Sequence, residues 1–96
     1  MKRDAFYRYV DNIVRALDVD RELLFSKTKR RDVVDARHLL YYVCFRRMIR
    51  VVYIQKYMSE NGYDISHSSV IHGIKIASDK AKSDDEYKEL LNLIEL

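Results

Sequence analysis

Apolar residues recur along this chain at intervals of three and four, the spacing that lines one face of a helix. Phe6, Val10, Ile13, Val14 and Leu17 form a first stripe, predicting a helix from about Asp4 to Leu17. In DVDRELLF, Asp20 is placed to cap a short helix carrying Leu23 and Leu24, because its carboxylate can accept from free N–H groups of the first turn. SKTKRRD follows, too charged to pack, and reads as an exposed loop. From about Asp32 to Ile49, Ala36, Leu40 and Val43 mark one side of a long helix, and Leu39, Tyr42 and Cys44 widen it. A helix apolar over so much of its circumference belongs at the centre. Asp32 and Asp35 in its first turns suit the positive end of the helix dipole. After a break near Arg50, Ile54, Tyr57 and Met58 mark a short amphipathic helix ending near Glu60, and NGYD with Gly62 signals a turn. Ser66 then caps a helix to about Ala77 in which His67, Val70, Ile71, Ile74 and Ala77 share a face. Ser83 with Glu86 three residues on makes a capping box for a last helix, about 83–96, carrying Tyr87, Leu90, Leu91 and Ile94. The expectation is one all-α domain, residues 1–96, of about six helices.

Composition agrees with this. The chain has no proline and only two glycines, which leaves few hairpin turns and favours helices joined by short loops. Charge sharpens the picture more. Residues 1–50 carry 13 Lys+Arg against 7 Asp+Glu, and residues 51–96 carry 5 against 8. Between Ser26 and Arg50 there are 8 basic residues and 2 acidic ones. Such a stripe suggests a polyanionic partner, nucleic acid being the commonest, although a solvated helical face would show the same count. The single cysteine, Cys44, cannot form an intrachain disulfide, and the N-terminus lacks the apolar core of a signal peptide. The longest apolar run, LLYYVCF, has seven residues, too few for a membrane span. A cytoplasmic, nucleoid-associated protein is expected.

SHSSVIHGI, Ser66 to Ile74, gathers hydroxyls and imidazoles at the head of a helix. Metal binding needs converging ligands, and neither His67 with His72 nor His38 with Cys44 lies on one helical face. A serine nucleophile of the elbow type needs a strand–turn–helix with flanking glycines, and no strand is indicated. No phosphate-loop motif is present. No enzyme, metal, nucleotide or other cofactor is therefore expected. A helix–turn–helix over about 52–77 fits better, because the head of the second helix then reaches base edges in the major groove. On the residues alone, a plain Ser-capped helix facing water remains equally open.

Three collinear stretches resemble the C-terminal DNA-binding domain of the bacterial replication initiator DnaA. LLFSKTKRRDVVDARHLLYYV, Leu23 to Val43, is similar to the family's Leu-Leu-Ser-Lys-Arg-Arg loop and the start of its long helix. VYIQKYM, Val52 to Met58, falls at the family's Leu-x-x-Ile-Gly-x-x-Phe helix. SHSSVIHGIKI, Ser66 to Ile76, is similar to its Asp-His-Thr-Thr-Val-x-His-Ala-x-x-x-Ile signature. The resemblance covers roughly residues 10 to 78 and implies a Trp-repressor-like helix–turn–helix fold that binds double-stranded DNA. It implies major-groove roles for Ser66, His67, Ser68 and Ser69, minor-groove insertion of Arg37, and phosphate contacts by Lys27, Lys29, Arg30 and Arg31. The family's Arg-Asp before the histidine is Ile65-Ser66 here, its two threonines are serines, and its proline before the long helix's arginine is Ala36. The turn is about four residues longer than the family's.

The expectation is a stand-alone duplex DNA-binding protein, without the family's motor domain, acting in replication initiation or transcription control. The rival is a protein-interaction adaptor on the same fold. Eight tyrosines and the arginines at 46, 47 and 50 offer an interface. The acidic C-terminal helix offers a docking face for a protein partner or a second copy. A phage or mobile-element origin is a third reading that no residue decides.

Overall fold

The structure, a computed structural model, describes all residues 1–96. It contains six helices and no strand: α1 (Lys2–Leu17), α2 (Arg21–Leu24), α3 (Arg31–Arg46), α4 (Val51–Glu60), α5 (His67–Ser83) and α6 (Asp85–Ile94). The all-α expectation holds. α3 is central, packing most extensively against α5 and α1. One continuous core runs from Phe6, Val10 and Ile13 of α1 through Leu39, Leu40 and Val43 of α3 to Ile54, Met58, Val70, Leu91 and Ile94. None of the helices is long and apolar enough to cross a membrane.

Three helices end by the same device. The Val19 N–H donates to the Val14 carbonyl, Ile49 to Cys44 and Tyr63 to Met58, each reaching back five residues across a residue with positive φ. Those residues are Asp18, Met48 and Gly62, with φ of 52°, 69° and 86°. This arrangement satisfies carbonyls the last turn leaves free, and an apolar residue just beyond it packs back on the helix. It explains why α3 stops at Arg46 rather than at the expected Ile49. Ile49 is fully buried, and the left-handed turn at Met48 brings its N–H back to the Cys44 carbonyl, at 3.0 Å.

Two further boundaries differ from expectation. α5 continues past Ala77 to Ser83, because Ala81 is buried and the Lys80 ammonium reaches both the Asp35 carboxylate, at 3.3 Å, and the face of the Tyr87 ring. α6 is capped by Asp84, whose carboxylate accepts from the N–H groups of Glu86 and Tyr87. The capping box expected at Ser83 does not form. Ser83 is the last residue of α5, and its hydroxyl donates to the Asp79 carbonyl.

α5 lies close on α3 because residue 73 is glycine. A Cβ there would stand 2.8 Å from His38 Cδ2 and 2.9 Å from Tyr41 Cδ2, well inside van der Waals contact. Val70, Gly73, Ala77 and Ala81 therefore form the inward edge of α5. Ile71 does not join them. Helical spacing puts it on the core face with Val70 and Ile74, but it is 48% exposed and turns outward.

Candidate nucleic-acid interface

α4 and α5 are joined by the connection Asn61–Ser66, the element order a helix–turn–helix requires. The connection is held at several points. The Ser59 hydroxyl donates to the Asp64 carboxylate at 2.8 Å, and the Gln55 amide donates to the Ile65 carbonyl at 3.0 Å. The Asn61 amide is within 2.8 Å of both the Tyr57 carbonyl and the Tyr7 hydroxyl, tying the turn to α1.

Ser66 begins α5 as its cap. Its Oγ accepts from the Ser69 N–H at 3.1 Å and donates to the Ser69 hydroxyl at 2.9 Å. The four residues Ser66, His67, Ser68 and Ser69 are all exposed, but they are not equivalent. The Ser66 hydroxyl has both a donor and an acceptor role inside the protein, whereas His67 and Ser68 make no side-chain hydrogen bond. Beyond them, Ile71, His72 and Lys75 continue the exposed face.

The basic loop divides in two. Lys27, Lys29, Arg30 and Arg31 are exposed. Lys27 donates to the Asp64 carbonyl at 3.3 Å and sits over the Tyr63 ring, 5.0 Å from its centroid. Arg30 forks onto Asp32 through Nε at 3.3 Å and Nη2 at 2.9 Å, and this hydrogen-bonded pair holds the Asp32 carboxyl below its ordinary range. Lys29 and Arg31 have no ion-pair partner.

Arg37, for which the resemblance implies minor-groove insertion, is turned into the protein in this structure. It is 5% exposed, the one charged side chain in the core. Its Nε donates to the Leu24 carbonyl at 2.9 Å, its Nη1 to Thr28 at 3.0 Å, and its Nη2 to Leu23 at 3.2 Å and to Ser26. Its guanidinium also faces the Tyr63 ring at 4.7 Å. A buried guanidinium is stable only when its donors are met, and here the carbonyls around the α2–α3 loop meet them. Four of its five N–H groups go to loop carbonyls, so Arg37 shapes the loop from inside while also lining an open cleft.

The two exposed surfaces meet. An open cleft of about 480 Å³ is lined by Lys27, Thr28 and Lys29 of the loop, by Ser69 and His72 of α5, and by Arg37, Tyr41 and Tyr63. His38 also lines it, with its ring edge-on to His72 at 6.2 Å between centroids. Spacing along the chain pairs each of these histidines with a residue of its own helix; the packing of α3 on α5 brings them to each other instead. Burial holds the His38 imidazole below its ordinary pKa, with His72, Lys80 and Arg37 adding to the effect and Asp35 opposing it. Nowhere do three His, Cys, Asp or Glu side chains converge as a metal site would need. Burial raises the Cys44 thiol far above its usual range, which leaves it an inert core residue. Tyr63 is the residue that sequence reasoning misses. The signal for it is an aromatic placed directly after the turn glycine, where only its packing under two cations gives it a purpose.

No family model matches the chain, and no solved structure matches it. Among curated proteins it is similar to the chromosomal replication initiator protein DnaA of Leptospira biflexa serovar Patoc, in the Patoc 1 strains Ames and ATCC 23582 / Paris. Each is 27% identical over 85 residues, which is 88% of this chain and 18% of the initiator. The chain thus spans less than a fifth of the length of the relatives it matches.

Proposed function

We propose that this chain is a non-catalytic double-stranded DNA-binding domain that acts in replication initiation or its control. In this reading α4 and α5 work as a helix–turn–helix. α5 enters the major groove with His67, Ser68 and Ser69 toward base edges, and Lys27, Lys29, Arg30 and Arg31 hold the phosphate backbone. Ser66 contributes chiefly by capping α5, and Arg37 by shaping the loop.

The observation that carries this reading is the shared cleft. Lys27 and Lys29 of the loop and Ser69 and His72 of α5 line one opening, so a single phosphate strand can meet both the loop and the head of α5. The N–H groups and dipole at the start of α5 favour an anion at that point. Similarity to the replication initiator over most of the chain supports the same reading.

The test is selection of duplexes from a random pool, followed by titration with salt. Retained duplexes should share a sequence, and their affinity should fall steeply as salt rises, by about 0.9 in log–log slope for each phosphate neutralised. Failure to retain any duplex at low salt would overturn the proposal. An adaptor role draws on a different surface, the exposed Phe45, Met48 and Val52 beside Arg47 and Arg50 at the α3–α4 corner. It becomes the better reading if that experiment fails.

A further inference from the structure

Ile71 is the one large apolar side chain exposed on α5. The other exposed ones lie at Met1, at the α3–α4 corner (Phe45, Met48 and Val52) and at the end of the chain (Leu93 and Leu96). Of its helical neighbours one turn away, His67, Ser68 and Lys75 are exposed and polar, and Ile74 is half-buried against the core. A lone isoleucine on an otherwise polar surface would mean little elsewhere. Here it stands five residues beyond the cap, on the face that the proposed DNA reading turns toward base edges.

The major groove offers one apolar group, the C5-methyl of thymine. Of the side chains on the outer face of α5, only Ile71 can take it up. Ser68 and His67 offer hydrogen-bonding groups, and Lys75 carries a charge. Because β-branching fixes χ1 in a helix, the isoleucine methyls project in a nearly constant direction, as discrimination of one base requires. Along the helix axis Ile71 lies about 4.5 Å beyond Ser68, slightly more than one base step of about 3.4 Å. The two side chains therefore address neighbouring bases.

We infer that Ile71 is a specificity-determining residue that recognises a thymine by its methyl group, next to the base met by Ser68. This inference rests on the DNA-binding reading above, and the test separates the two. From a duplex retained in the random-pool selection, each thymine is replaced in turn by deoxyuridine, which removes only the methyl. At one position the unaltered protein should lose about fourfold in affinity, the worth of one buried methyl. In Ile71→Ala that position should become indifferent to the replacement, while the other thymines keep their wild-type responses. The helical circular dichroism and melting temperature of Ile71→Ala should match the parent, since the residue lies outside the core.

If every thymine tolerates uracil in the unaltered protein, or if Ile71→Ala keeps the fourfold response, the assignment of Ile71 is wrong although DNA binding stands. If no duplex is retained at low salt, both the DNA-binding reading and this inference fall.

Discussion

Arg37 and its neighbours Lys29 and Arg31 are cations of one short region put to opposite uses. Arg37 turns inward and gives its donors to Leu23, Leu24, Ser26 and Thr28. Lys29 and Arg31 turn outward and bind nothing in the protein. Charge alone does not say what a basic residue does; the number of carbonyls around it does. A count of basic residues would credit all of them to a polyanion, and one belongs to the fold.

The sharpest way to break this contrast is Arg37→Ala. It leaves several loop carbonyls without donors, so stability should fall by about 3 kcal/mol, and the melting temperature by roughly 15 °C. Arg37→Lys should rescue little, because an ammonium cannot fork onto carbonyls on several sides. A thermal melt in which Arg37→Ala behaves like the parent would remove Arg37 from the fold. The outward cations should respond in reverse. Lys29→Ala with Arg31→Ala should leave the melt within about 0.5 kcal/mol of the parent. The same pair should lower the salt slope of DNA binding by about 0.9 for each phosphate left without its cation.

Arg30 stands between the two cases, exposed but tied to Asp32. Asp32→Asn frees its guanidinium, and duplex affinity in a filter-binding titration should rise. The helix start loses a favourable charge, so the midpoint of a urea melt should fall slightly. The smallest effect concerns His38, which like Arg37 is turned into the protein. Its folded-state pKa lies below the ordinary 6.5, so between the two values the unfolded chain binds more protons. Its contribution is therefore complete above about pH 6.5 and is lost as pH falls toward the folded value. Melts from pH 7.5 to 5 should decline, and His38→Gln should flatten that decline.

Much of the fold was legible because helical spacing survives in short windows. Phe6, Val10 and Ile13 identify α1 without knowledge of what they touch, and Asp20 caps α2 as its position suggests. What stayed hidden depended on contacts between distant parts of the chain. Ala77 looked like the end of α5, because the reason to continue is the burial of Ala81 and the reach of Lys80 to Asp35. Ile71 looked like core, because one apolar residue beside a stripe cannot show on which side of the interface it falls. The exposed residues at the head of α5 were readable as a surface; the inward use of Arg37 was not, since the carbonyls it serves lie up to 14 residues away along the chain.

The carbonyls gathered on Arg37 also bear on how fast a complex would form and break. A loop already shaped in the free chain needs no folding step on arrival, so encounter with a polyanion can proceed at an electrostatically steered rate. Removing Lys29 or Arg31 should then slow association, whereas changes at Ser68 or Ile71 should shorten the lifetime of the bound state.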